Sequence, residues 1–106
     1  MVKTVIATGF VYGKNWGGGY SAYPSREIEA KSRAEVLKKA QAELKSGGLD
    51  SGMGFESLKG ALLIITVVNV VVSKGKEYHR EEVDTEMIGD LTKQEQDFLQ
   101  DCLYNN

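Results

Sequence analysis

The chain has 106 residues, 42% hydrophobic and 26% charged, with a formal net charge of −2, which suits one domain with a modest core of its own. No run of Lys and Arg supplies the basic footprint that a duplex-nucleic-acid binder needs. The single cysteine, Cys102, excludes an intrachain disulfide and, with one histidine, makes a structural zinc site a poor reading.

The opening MVKTVIATGF lacks the charged-then-apolar layout of a signal peptide. The longest apolar run, ALLIITVVNVVV over 61–72, is interrupted by Asn69 and falls short of the roughly 20 residues of a membrane helix. A cytoplasmic location with no membrane contact is the expectation. Glycine is over-represented, at 12 residues against a usual share of roughly 7%. The glycines cluster at 17–19, 47–48 and 52–54, so they mark particular loops.

Residues 2–12 are rich in β-branched and aromatic side chains without helical spacing and predict a strand. The loop over 13–19 leads to a second, more polar strand over 20–30, which Pro24 places at an edge or a bulge. Ser32 then suits a helix N-cap, with Glu35 completing the capping box. Leu37, Ala40, Gln41 and Leu44 form the apolar stripe, and Gly47 and Gly48 stop the helix. After a turn-rich loop over 49–57, residues 58–72 predict a buried central strand. SKGK (73–76) is the turn into a charged edge strand over 77–88. A last helix starts at Thr92, capped with Glu95, and buries Phe98, Leu99, Cys102 and Leu103.

The order ββαββα predicts an α+β domain spanning 1–106, an antiparallel sheet with its two helices on one face. A central strand of about 12 residues runs roughly 40 Å. A chain this small has difficulty covering both faces of such a strand, so self-association is expected, with a bulge near Asn69 as the alternative.

His79 reads as an exposed cross-strand residue and Cys102 as a buried thiol. Glu81, Glu82, Asp84 and Glu86 read as a solvated strand edge. No acid–base pair, nucleophile or metal-ligand spacing stands out, so no enzyme activity, cofactor or metal is expected.

The binding inventory is fuller. In KNWGGGY (14–20) the absence of Cβ at Gly17, Gly18 and Gly19 admits close backbone approach, and amide N–H groups of such loops can meet phosphate. Trp16, Tyr20 and Tyr23 could stack on a purine, and Asn15 could read a base edge or a ribose hydroxyl. Lys14 and Arg26 could meet phosphates. The loop with Ser51, Gly52, Met53, Gly54, Phe55 and Glu56 repeats the pattern. Against this, neither loop matches a phosphate-binding fingerprint. The first is equally explained as a hairpin turn with Trp16 capping the core, and the second as a helix-to-strand connector.

The strings ATGFVYGKNWGGGYSAYPSREI (7–28), GGLDSGMGFESLKGALL (47–63) and IGDLTKQEQDFL (88–99) resemble the first-described family of Thoeris anti-defence proteins, small phage sponge proteins. The resemblance implies an antiparallel sheet with two helices. It implies binding, without cleavage, of cyclic ADP-ribose isomers, the signals made by bacterial TIR-domain proteins in the host cytoplasm. It also implies pockets at a homodimer interface, with dimers in some members assembled into hexamers that hold cyclic oligonucleotides at separate sites. Carried onto this chain, the candidate ligand residues are Asn15, Trp16, Gly17, Gly18, Gly19, Tyr20, Tyr23, Arg26, Met53, Gly54 and Phe55. The competing readings are a protein-only inhibitor or structural homo-oligomer without a nucleotide ligand, and a nucleotide hydrolase or isomerase using Glu56 or Glu27.

Overall fold

In a computed structural model, which describes residues 2–52, 54–72 and 76–104, the chain is an α+β domain with the element order βββαββα. The strands are β1 (Val2–Asn15), β2 (Tyr20–Pro24), β3 (Ile28–Ala30), β4 (Phe55–Val72) and β5 (Lys76–Gly89); the helices are α1 (Arg33–Ser46) and α2 (Lys93–Tyr104). All pairings are antiparallel, in the order β2-β1-β4-β5, with β3 also on β1. The expected turn over 73–76 falls mostly on residues outside the described ones.

The strand expected over 20–30 is two strands. Pro24 has no N–H to give, and the Arg26 N–H goes to the Leu49 carbonyl instead of to β1. Phe10 pairs with Pro24 and Ala7 with Ile28, so one extra residue is accommodated between the two pairings. The Ser25 hydroxyl bridges the break by accepting from the Gly9 N–H at 3.0 Å.

β4 runs for 18 residues, consistent with a molecule 54 Å in its longest dimension. Asn69 lies in regular pairing with Lys3 and His79, so no bulge forms there. The β4–β5 irregularity lies between Ile65 and Thr66, where Val83 is the extra residue of β5. Two further shifts relative to β1 leave Glu56 and Lys59 as the extra residues of β4. As a result Phe55, Leu58 and Ala61 pack in one and the same core, although strict alternation would separate them.

The helices lie on opposite faces of the sheet, not on one. α1 packs Val36, Ala40 and Leu44 against Val5, Ala7, Val11, Ala61, Leu63 and Ile65. On α1, Gln41 is exposed and leaves the expected stripe, which Val36 joins. α2 packs Leu99 and Leu103 against Leu62, Phe10, Tyr12 and Met87, with Leu91 beneath it. The second capping box is complete, with Thr92 and Glu95 bonding each other reciprocally, whereas at α1 only half of the expected box forms: Ser32 Oγ accepts from the Glu35 N–H, and the Glu35 carboxylate faces Lys39 at 3.8 Å. Gly47 closes α1 at φ 81°. Arg33 ties α1 to the charged edge by donating to Asp84 at 2.8 Å and Glu86 at 2.6 Å. Among the described residues, no helix is long and apolar enough to cross a membrane.

Candidate functional site

The α2 side of the sheet carries an open cleft of about 410 Å3, lined by Tyr12, Tyr20, Gln94, Glu95 and Phe98. Antiparallel register creates its aromatic wall. Tyr12 pairs with Ala22, and Tyr20 lies two residues further along β2, on the same face. The Tyr12 and Tyr20 rings stack at 5.6 Å with an interplanar angle of 12°. α2 adds Phe98, edge-on to Tyr12 at 6.1 Å. Phe98, expected inside, is 48% exposed. It projects about 100° away from Leu99 around the helix, and only Leu99 points down into the sheet.

The β4 bulge aims Lys59 at this cleft. Its ammonium donates to both Glu95 oxygens, at 2.7 and 2.9 Å, and sits 5.9 Å from the Tyr20 ring centroid. Glu95 also accepts from the Thr92 N–H at 2.9 Å. The Lys59 hydrogen bond, with Thr92 second, lowers the Glu95 pKa to about 2. The same pair raises the Lys59 pKa. Desolvation first, then the charge of Glu95 and a hydrogen bond to it, raise that of the Tyr12 hydroxyl. The carboxylate that lines the cleft is therefore neutralised by a lysine held against it.

The stability that Glu95 contributes follows from this. Its pKa is 4.5 when unperturbed and about 2 in the fold, so its contribution is complete above about pH 4.5 and is lost as pH falls toward 2. In thermal denaturation followed by circular dichroism, Glu95→Gln should melt below the wild type by a constant margin from about pH 5 to about pH 9. That margin should shrink between about pH 4.5 and 2. A margin independent of pH over that window would show that the carboxylate charge contributes nothing.

The glycine loop adjoins the cleft and is built as a turn. The Asn15 N–H donates to the Gly19 carbonyl at 2.7 Å and the Gly18 N–H to the Asn15 carbonyl at 3.0 Å. Gly18 has φ 91°, and nothing lies within 4 Å of a Cβ placed on Gly17, Gly18 or Gly19. The absent side chains thus leave open space at the tip, where Trp16 is 74% exposed and does not cap the core. The Asn15 amide donates to Ser21 Oγ at 2.8 Å, which anchors the base of the loop.

The other candidates lie around the same end of the sheet but on its α1 face. Tyr23 pairs with Val11, a residue of the α1 core, and its ring meets Phe55 at 5.5 Å. Tyr20 and Tyr23 are therefore separated by the sheet. Asp50 organises the second loop, accepting from the N–H groups of Gly52, Gly54 and Phe55 at 3.1, 3.1 and 2.9 Å. Its glycine amides are thus directed at an internal carboxylate. The Ser51 hydroxyl donates to the Pro24 carbonyl, which brings Arg26, exposed, next to this loop. Lys14 is the exception: it pairs with Tyr20, shares its face, and lies 3.8 Å from Glu56. Met53 lies outside the described residues.

The structure thus joins Tyr20 to Tyr12, Lys59, Gln94, Glu95 and Phe98, none of which stood among the candidates. Two signals pointed to them. Lys59-Gly60 inside an apolar strand is a bulge signature, and Gln94, Glu95 and Phe98 share a helical face. No protein-family model, curated protein or solved structure matches the chain.

Proposed function

We propose that this protein is a non-catalytic sponge that binds a cyclic ADP-ribose isomer and withholds it from TIR-dependent Thoeris immunity. The observation that carries the reading is the aromatic cleft beside the open glycine hairpin. Its ionisable pair, Lys59 and Glu95, is engaged in holding α2 to the sheet. Stacking surfaces suit a nucleotide ligand, and a carboxylate held ionised by a lysine is a weak base and no proton donor at neutral pH.

The ligand is enclosed between subunits of a homodimer, or of a hexamer of dimers with further cyclic-oligonucleotide sites. On the α2 side, beyond the helix, the cross-strand pairs Ile6–Thr66 and Thr8–Ile64 form an uncharged, half-buried patch. Such a surface supports association.

The test mixes purified protein with a cyclic ADP-ribose isomer, removes the protein by filtration, and assays the filtrate and the heat-released fraction. Depletion followed by release of intact signal is expected. Absence of depletion, or recovery of cleaved products, overturns the proposal. Trp16→Ala alters an exposed side chain of the hairpin beside the cleft and should weaken binding by roughly tenfold. Arg26→Ala alters an exposed side chain on the α1 face and should weaken binding only where a second subunit brings that face to the ligand. Both melting temperatures should stay unchanged, and unaltered affinity in Trp16→Ala would remove the hairpin from the site.

The exposure of Trp16 also favours a second reading, a protein-only inhibitor that presents its aromatic tip to a partner. In that case Trp16→Ala abolishes partner pull-down and no nucleotide co-purifies.

A further inference from the structure

We infer that Glu95 is a specificity-determining residue: by cancelling the charge of Lys59 it makes the cleft a seat for the uncharged planar base of a nucleotide and keeps phosphate outside. This rests on the reading of the chain as a nucleotide-signal binder and names the part of the ligand that the cleft holds.

The walls are the rings of Tyr12, Tyr20 and Phe98, of which Tyr20 is 54% and Phe98 48% exposed. Exposed rings around an open cleft suit stacking on a base, which is tolerant of base identity. Beside the cleft, Lys59 spends two of its donors on the Glu95 oxygens and faces the Tyr20 ring, and Lys14, the cross-strand partner of Tyr20, lies 3.8 Å from Glu56, so each of these cations stands next to a carboxylate. Glu95 in turn accepts from Lys59 with both oxygens and from the Thr92 N–H. A phosphate entering here would meet an ionised carboxylate at contact distance from the lysine that compensates it.

In the adjoining hairpin the N–H groups of Asn15 and Gly18 are taken by the turn itself, and the amides that Asp50 gathers, those of Gly52 and Gly54, lie across the sheet from the cleft. In a cyclic dinucleotide-like signal the base therefore enters the cleft and the pyrophosphate lies outside it.

The probes are adenosine and AMP, titrated calorimetrically into the whole chain at about 0.01 M and about 0.15 M salt. The wild type should bind both within about threefold, with little salt dependence. Glu95→Gln frees the Lys59 charge, so AMP should gain at least about fivefold over adenosine at low salt and lose that gain as salt rises. Phe98→Leu should weaken both probes by about tenfold.

The inference is overturned by a wild-type preference for AMP that salt erases, by an unchanged AMP-to-adenosine ratio in folded Glu95→Gln, by unchanged affinities in Phe98→Leu, or by no binding of adenosine. Should Glu95→Gln not fold by circular dichroism, the wild-type ratio and Phe98→Leu decide. Depletion of a cyclic ADP-ribose isomer alongside any of these failures leaves the sponge reading standing. The adenosine pattern without depletion keeps the base seat and removes the sponge reading.

Discussion

Gly89→Ala should destabilise the protein by about 2–5 kcal/mol, whereas Gly47→Ala should cost only about 1–2 kcal/mol. Both glycines have a positive φ, 91° at Gly89 and 81° at Gly47, so both variants carry the penalty of a left-handed backbone with a Cβ. Their surroundings differ. Nothing lies within 4 Å of a Cβ at Gly47, but at Gly89 it would stand 2.5 Å from the Lys59 carbonyl oxygen and 2.6 Å from Gly60 Cα.

Those are backbone atoms of the β4 bulge, which cannot rotate away as a side chain would. The Lys59 carbonyl also accepts from the Asp90 N–H at 3.1 Å. Moving it disturbs the segment that aims Lys59 at Glu95. Gly89→Ala should therefore lose ligand binding together with stability, while Gly47→Ala keeps its binding. Urea unfolding and calorimetric titration of both variants measure the two effects. Equal stability losses would mean that the close approach at Gly89 is relieved at no cost.

The local punctuation of this fold was legible. Ser32 with Glu35 and Thr92 with Glu95 are read from four-residue spacing alone, and Gly47 from the end of the apolar stripe. Those interactions are made within one turn of chain. The bulges are different, because they arise from the match between β1 and β4, strands some fifty residues apart in sequence. Lys59-Gly60 hints that an irregularity exists without saying where its lysine points.

Tyr20 and Tyr23 show a signal that was present but outweighed. A spacing of three puts two strand residues on opposite faces, yet the density of aromatic residues suggested one cluster. Phe98 shows the reverse case. Adjacent Phe98 and Leu99 cannot both face the sheet centre, but which one does depends on where α2 docks.

The second face of β4 drives the last prediction. Leu62 and Leu63 are adjacent and both buried, at 3% and 0% exposure, in different cores. An apolar strand without alternation requires cover on both faces. The sequence suggested a second subunit for that cover; in the structure α2 covers the Leu62 face at one end.

Leu63→Ala should therefore destabilise the whole domain by about 2–5 kcal/mol, toward the upper end of that range. Of its cross-strand neighbours, Gly9 has no side chain to move into the gap and Glu86 is held by Arg33, so the cavity stays open. Leu62→Ala removes the same atoms from the smaller cluster that holds α2. It should cost less globally but should lower the amide-exchange protection of α2 and, with it, the affinity of the cleft. Hydrogen exchange distinguishes the two: uniform loss of protection for Leu63→Ala, and loss concentrated in Lys93–Tyr104 for Leu62→Ala. Uniform loss in both variants would mean that α2 and the sheet unfold as a single unit, and that the cleft opens only when the domain does.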